Sequence, residues 1–254
     1  VITPTTEALI ETLNITTPSL TIELGAGKYG TVTALTASQT LIIGEGVEIE
    51  KLVLKGGNVK LNGDLVLKNP LEVNQDLILD LNGYTLSTAE ENGDNWSAAV
   101  IVYSGNVTIK GGTIATNGTE AHKLMGAVWV RGTESANVTI ENGTFKGNNW
   151  NENATNQLDC MATVYVSNPS GYVTIEGGDF HCVHQEQVAG QNQILNYKND
   201  FSTQNIVVNG GTFYGMNPAK GNGVEVSYLA ENTIVAETSA GVFEVLPVVD
   251  GAVT

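Results

Sequence analysis

Residues 173–180 read VTIEGGDF, and closely similar phrases occur at three other places in the chain. These are VTIKGGTI at 107–114, VTIENGTF at 138–145 and IVVNGGTF at 206–213, so the spacings are 31, 35 and 33 residues. Apolar and polar residues alternate before the glycines, as in a strand with one buried face. The glycines permit the positive φ that a sharp turn between two sheets needs. A repeated strand–kink–strand phrase predicts coils that are stable only when stacked.

A second short apolar run precedes each phrase. These runs are AAVIVYS at 98–104, GAVWVRG at 126–132, ATVYVSN at 162–168 and QILNYKN at 193–199. One coil therefore reads strand, short turn, strand, glycine kink, strand and a longer polar loop. Ile114, Phe145, Phe180 and Phe213 share one register and are predicted to stack inside as a ladder.

We therefore predict an all-β fold, a single-stranded right-handed parallel β-helix. A β-propeller would need four-stranded blades at about 40 to 50 residues, longer than these spacings. A β-sandwich would not repeat one phrase four times.

The whole chain, residues 1–254, is predicted to form one domain because no linker separates two kinds of composition. We expect an N-terminal cap over 1–20, with a short helix in TTEALIETL at 5–13 that covers the open end. Residues 21–225 supply the coils. Residues 226–254 supply a strand pair, a hairpin around Ser239 to Gly241 that closes the C-terminal end.

The charge balance argues against a nucleic-acid partner, and the short apolar runs argue against membrane insertion. Eleven basic residues stand against 27 acidic ones, the net charge is −16, and Arg131 is the only arginine. Nucleic-acid binding needs clustered Lys and Arg, so no nucleic-acid partner is expected. No apolar run is long enough to insert into a membrane. An acidic surface suits an extracellular or virion-exposed protein, and it repels polyanions such as pectate unless metal ions intervene.

Polar segments recur where each coil returns to its next strand. They cover residues 87–97, 116–125, 147–159, 181–193 and 215–223. Equivalent segments in stacked coils lie above one another, so they should form one continuous loop edge. Trp96, Trp150 and His184 are the candidate binding residues there, for a neutral glycan or a protein partner. The alternative is that the tryptophans fold back onto the coils as anchors.

The acid–base candidates lie in GGDFHCVHQE at 177–186. Asp179 replaces the Thr of the other three phrases, and it shares an outward face with His181 if Phe180 points inward. A carboxylate beside an imidazole is a possible general acid–base pair or half a metal site, and a solvated surface pair is the alternative. No known catalytic or metal-binding motif accompanies the pair, so no catalytic residue, metal or cofactor is assigned.

The two cysteines, Cys160 and Cys182, share the parity of core residues in adjacent coils. Both are predicted to point inward. The sequence is compatible with two thiols or with a disulfide between them.

The repeated phrase resembles the pectate-lyase-like superfold of right-handed β-helices. Lyases of that fold use an acidic calcium site with an Arg or Lys base, and polygalacturonases carry N-T-D, D-D, G-H-G and R-x-K. Arg131 has no paired acidic run on a neighbouring coil, and the polygalacturonase motifs are missing. The resemblance therefore does not extend to the catalytic residues of these enzymes.

A closer resemblance lies in NGGTFYGMNPA at 209–219, YLAENTIVAETSAGVFEVLPV at 228–248 and DLILDLNGYTLS at 76–87. These stretches are similar to β-helix proteins of Bacteroides-type gut bacteria and of their phages. The chain departs from that pattern at Met216 and at Tyr228. The resemblance implies a virion surface or fibre component, or a secreted bacterial surface protein.

The first expectation is therefore a non-enzymatic structural or adhesive β-helix protein, a head- or tail-fibre-like component of a phage virion. Such a chain would form a homo-oligomer or attach to a larger particle. The second expectation is a secreted bacterial surface protein of the same fold. The third is a carbohydrate-active enzyme, a polysaccharide lyase or hydrolase, that uses Asp179, His181 and Asp159.

Overall fold

Two largely parallel β-sheets carry the described part of the chain. The computed structural model describes residues 1–4, 9–16, 20–34, 39–88, 96–116, 124–149, 161–183, 194–198, 204–220 and 227–248. Within these ranges there is no α-helix, and one 3₁₀ turn covers Pro218–Lys220. The all-β, mainly parallel character predicted from the repeats is confirmed.

Sheet A has eight strands in the described residues. They are β2 (Thr21–Leu24), β4 (Thr40–Gly44), β6 (Gly57–Asn62), β9 (Leu77–Asp80), β12 (Gly105–Lys110), β15 (Ala136–Ile140), β18 (Gly171–Ile175) and β21 (Ile206–Val208). Each pairs in parallel with its neighbour in that order, as Val107 does with Val138 and Val138 with Val173. The alternating apolar residues of the repeated phrase therefore stack in register.

Sheet B has two arms that meet at β5 (Val47–Leu54). The kinked arm contains β7 (Leu65–Leu67), β10 (Thr85–Thr88), β13 (Thr113–Thr116), β16 (Thr144–Asn149), β19 (Asp179–Cys182) and β22 (Gly211–Tyr214), followed by β24 (Val242–Pro247) and β23 (Thr233–Ser239). The loop arm contains β8 (Leu71–Val73), β11 (Ser97–Val102), β14 (Leu124–Val130), β17 (Val164–Val166) and β20 (Leu195–Tyr197). From β8 onward the chain passes in turn through the loop arm, sheet A and the kinked arm, and this sequence is repeated.

Inward-facing side chains from sheet A and both arms form the main core. Phe145, Phe180 and Phe213 are fully buried there, and successive rings stack with centroids 5.0 and 4.9 Å apart. Ile114 precedes Phe145 in the same register, so the predicted ladder is confirmed. Cys182 is also buried in the main core, as predicted, whereas Cys160 and any bond between the two lie outside the described residues.

The predicted N-terminal helix is wrong. Residues Leu9–Asn14 form strand β1, which pairs in parallel with β3 (Gly27–Ala34). Ile10 and Leu13 are three residues apart, as on a helix face, but here they align with the buried Tyr29 and Val32. Strict alternation of inward and outward residues is therefore interrupted between these two positions of the paired strands. Pairing with β3 overrides the local helix propensity.

The predicted C-terminal hairpin is confirmed. Strands β23 and β24 are antiparallel, and the connection between them includes Gly241 with φ +73°. Strand β24 also pairs antiparallel with β22, placing Phe243 opposite Phe213. The hairpin thus completes the C-terminal end of the kinked arm.

Candidate functional site

The outer face of the kinked arm carries Asp179 and His181. Both side chains are half-buried and flank the fully buried Phe180, so they lie on one outward face as predicted. Parallel pairing aligns Asp179 with Thr144 on one side and Thr212 on the other. Asp179 therefore interrupts an outward row of threonines.

The second outward row of this arm contains Lys146, His181 and Tyr214 in register. The His181 and Tyr214 rings are stacked, with centroids 3.9 Å apart and planes inclined by 15°. Both residues are half-buried. The imidazole nitrogens and the phenol hydroxyl are groups that donate or accept hydrogen bonds. We name Asp179, His181 and Tyr214 the polar patch.

Glycines form the corner between sheet A and the kinked arm. Gly143, Gly178 and Gly211 have φ of +123°, +117° and +114°. A Cβ on Gly178 would lie 2.8 Å from the Gly143 carbonyl oxygen, and one on Gly211 would lie 2.9 Å from that of Gly178. Only glycine combines this backbone conformation with so close an approach. The kink residues of the repeated phrase are therefore required by the geometry of the corner.

A shallow open groove of about 540 Å³ follows this corner beside the polar patch. It is lined by glycines, by threonine and asparagine side chains and by one carboxylate: Gly83, Gly112, Thr113, Asn142, Gly143, Thr144, Gly177, Gly178, Asp179, Gly211 and Thr212. Hydrogen bonds hold its floor, since the Asp179 amide donates to the Gly143 carbonyl at 2.8 Å and the Thr212 amide to that of Gly178 at 2.8 Å. The groove thus pairs a rigid backbone floor with polar side chains.

The outer face of the loop arm is a second hydrophobic cluster. Its central row aligns Ile101, Trp129 and Tyr165, which are only 4 %, 6 % and 1 % exposed although they point away from the main core. The Trp129 and Tyr165 ring centroids are 6.2 Å apart. Such satellite clusters typically form beneath long loops.

Two polar groups fix the position of Trp129. Its indole Nε1 donates to the Ser167 hydroxyl at 2.8 Å, and the Arg131 guanidinium carbon lies 4.6 Å from the centre of the ring. The only arginine of the chain thus makes a cation–π contact with this cluster.

Trp96 packs against the outer cluster. It is half-buried, and its ring meets that of Tyr165 edge-on at a centroid distance of 6.1 Å. This contact is the anchoring arrangement considered as the alternative to ligand binding. Trp150, His184 and Asp159 lie outside the described residues, so the structure places neither the rest of the predicted loop-edge site nor the third proposed catalytic residue.

The strands on either side of the polar segments are described and show which elements the segments connect. The segments lead from β10 to β11, β13 to β14, β16 to β17 and β19 to β20, always from the kinked arm to the loop arm. His181 and Tyr214 lie at or near the ends of β19 and β22, where such segments begin. The polar patch therefore adjoins the predicted loop edge.

Two further properties concern the described residues only. They contain no group of three or more His, Cys, Asp or Glu side chains placed to hold a metal ion. None of their helical segments has the length and apolar character needed to cross a membrane.

The sequence interpretation missed Trp129, Tyr165 and Tyr214. Trp129 and Tyr165 occupy the middle of GAVWVRG and ATVYVSN, between two inward valines, where parity predicts solvent exposure. Two bulky aromatics at the same outward position of neighbouring repeats were an available signal for a second cluster. Tyr214 could have been found from its alignment with His181 in the repeated phrase.

Comparison of the chain with protein-family models, with curated proteins and with solved structures finds no match.

Proposed function

We propose that the chain is a right-handed parallel β-helix that acts as a non-enzymatic structural and adhesive rod and binds a glycan on the outer face of its kinked arm. The observation that carries this proposal is the polar patch beside the corner groove. Asp179, His181 and Tyr214 all lie on the outward face of the arm, within two adjacent repeats.

Strand pairing supports the structural part of the proposal. Strands one repeat apart pair in parallel, as β13 does with β16 and β16 with β19. A chain that returns to the same sheet after each repeat, always in the same direction, winds as a helix of strands, and right-handed crossovers are strongly preferred. Stacking makes each repeat bury the apolar face of its neighbour, which favours a rigid rod.

The chemistry of the patch supports the adhesive part. Sugar hydroxyls need acceptors and donors at short spacing, and a carboxylate is the strongest acceptor a side chain offers. Threonine hydroxyls at Thr144 and Thr212 flank that carboxylate in register. Because neighbouring strands lie about 4.8 Å apart, these groups can contact neighbouring hydroxyls on one sugar chain.

A binding measurement tests the adhesive role. Wild-type protein is expected to bind members of a panel of immobilised oligosaccharides, and the double variant His181→Ala/Tyr214→Ala is expected to bind at least tenfold more weakly. Thr108→Ala/Thr139→Ala is the matched control, because these two aligned residues face outward on sheet A. Equal affinity of the patch variant and wild type would overturn the proposal.

The same samples test the enzyme alternative. Release of reducing ends or unsaturated sugars by wild type, with loss of that activity in Asp179→Ala and His181→Ala, would favour a polysaccharide lyase or hydrolase instead. The adhesive role predicts that bound oligosaccharides are recovered intact.

We further propose that the rod is a component of a virion surface, attached to a larger particle or assembled with other copies of itself. This placement rests on the similarity of residues 209–219, 228–248 and 76–87 to phage and bacterial β-helix proteins. Mass spectrometry of purified virions is expected to detect the chain. Detection only in cell-surface and supernatant fractions would instead favour a secreted bacterial surface protein.

A further inference from the structure

Among the described residues that line the corner groove, Asp179 is the only acidic one. Within the part of the chain that the structure describes, its carboxylate accepts no hydrogen bond and forms no ion pair; the ion pairs found there join Lys28 to Glu48 and Lys68 to Glu50. The carboxylate is half-buried and lies between Thr144 and Thr212. A polar group placed in this way retains its full capacity to accept hydrogen bonds from a ligand.

The groove has the shape of a track along the stacked repeats. Its lining includes a corner glycine from each of five successive repeats, namely Gly83, Gly112, Gly143, Gly178 and Gly211. Four steps of about 4.8 Å between paired strands give a length of about 19 Å. The floor lacks side chains at the glycines, so an extended chain can lie flat on the backbone. A short, extended oligosaccharide matches this length better than a compact ligand does.

The surroundings of the groove disfavour negative charge. Glu141 and Glu176 directly follow strands β15 and β18 at the entry to the corner and are exposed, whereas Lys110, at the end of β12, is the base in the same series. Glu176 accepts a hydrogen bond from Asn209 at 3.0 Å, so it is held close to the rim. Together with Asp179 and a net charge of −16, these carboxylates outweigh Lys110 and the nearby Lys146 and repel uronate or sulfated sugars.

We infer that the corner groove binds an extended, uncharged glycan parallel to the stack of repeats, and that Asp179 determines its specificity. This inference rests on the proposed adhesive function and names its ligand class. The Asp179 carboxylate accepts hydrogen bonds from two sugar hydroxyls. The same carboxylate excludes sugars whose ring carries an acid group.

The test compares neutral hexose tetrasaccharides with tetrauronates of the same linkage, bound to wild type and to Asp179→Thr. Threonine occupies the equivalent position in the three other repeated phrases, so the variant is expected to fold and to melt close to wild type. It is expected to bind the neutral tetrasaccharide about tenfold more weakly, since charge-assisted hydrogen bonds are lost. Its preference for neutral over uronate sugars is expected to fall by at least the same factor.

Glu72→Thr is the matched control. It removes one negative charge from an exposed outward position of the loop arm, away from the groove. This control should leave both affinities unchanged. If wild type binds no glycan of any kind, the proposed function fails, and the inference fails with it. If wild type binds glycans but prefers uronates, or if Asp179→Thr keeps the wild-type preference, the inference alone is overturned.

Discussion

The two arms of sheet B carry outward rows that are equivalent in parity but opposite in environment. On the kinked arm, His181 and Tyr214 stack and remain half-exposed. On the loop arm, Trp129 and Tyr165 stand at outward positions too, yet they are almost completely buried in a second cluster. Outward orientation is thus a property of each strand, whereas exposure depends on what else packs there.

The difference has a functional meaning. The outer face of the loop arm uses its aromatic surface for internal packing, with Trp96, Met161 and Ala162 contributing from segments next to the strands. The outer face of the kinked arm instead carries half-buried polar side chains beside a groove. A ligand is therefore expected on the kinked arm, and stability is expected from the loop arm.

The largest expected effect on stability comes from replacing a tyrosine by alanine on the loop arm, compared with the same replacement on the kinked arm. Tyr165→Ala should lower the free energy of unfolding by about 3 to 5 kcal/mol, because it empties a buried ring site. Tyr214→Ala should lower it by about 1 kcal/mol or less, since that ring is partly solvated. Denaturant titrations of both variants measure the difference. Equal losses would mean that the two outer faces do not differ as described.

The corner that borders the kinked arm offers the next test. Gly178→Ala is expected to cost about 2 to 3 kcal/mol, because the new Cβ would clash with the Gly143 carbonyl oxygen and the positive φ would be strained. Gly83→Ala is the control, with φ +88° but open space around the Cβ, and about 1 to 2 kcal/mol is expected. Thermal melting and denaturation compare them. A cost at Gly178 no larger than that at Gly83 would show that the corner tolerates a side chain.

A tyrosine of the main core extends the comparison to pH. Burial, with a smaller contribution from Tyr197, raises the pKa of the Tyr228 phenol, whose hydroxyl donates to the Leu195 carbonyl at 3.2 Å. Below the unfolded-state pKa of about 10 the phenol is neutral in both states, and its full contribution to stability is present. As the pH rises further the unfolded state ionises first, so stability should fall by up to about 1.4 kcal/mol per pH unit until the folded pKa is reached.

Tyr228→Phe separates this effect from general alkaline unfolding. The variant should lose about 1 kcal/mol at neutral pH with the hydrogen bond, and its stability should decline less steeply than that of wild type above pH 10. Urea denaturation at several alkaline pH values measures both slopes. Parallel slopes would contradict a buried neutral phenol.

The smallest effect concerns the polar attachment of the outer cluster. Trp129→Phe keeps most of the ring volume but removes the hydrogen bond to Ser167 and weakens the contact with Arg131. A loss of about 1 kcal/mol in the free energy of unfolding is expected. Ser167→Ala should give a similar loss, and the double variant should show less than the sum. Additive losses would mean that the two groups act independently.

The candidate site was predictable in part. Parity and the inward Phe180 placed Asp179 and His181 on one outward face, and the structure agrees. The stacked ring of Tyr214 and the groove along the corner were not predicted, because both arise between repeats 33 residues apart in the chain. Trp96 was a binding candidate with anchoring as the alternative, and its contact with Tyr165 depends on a neighbouring strand that local sequence does not reveal.

By itself, the sequence determined the repeat length, the strand parity, the glycine corners and the phenylalanine ladder. All of these follow from local rules, since alternation, positive φ and side-chain size act within a few residues. Tertiary structure alone decided that residues 9–14 form a strand and that one outward row is buried while another is open. Pairing and burial depend on segments distant in the chain, so their free energy outweighs local propensity only after the repeats have stacked.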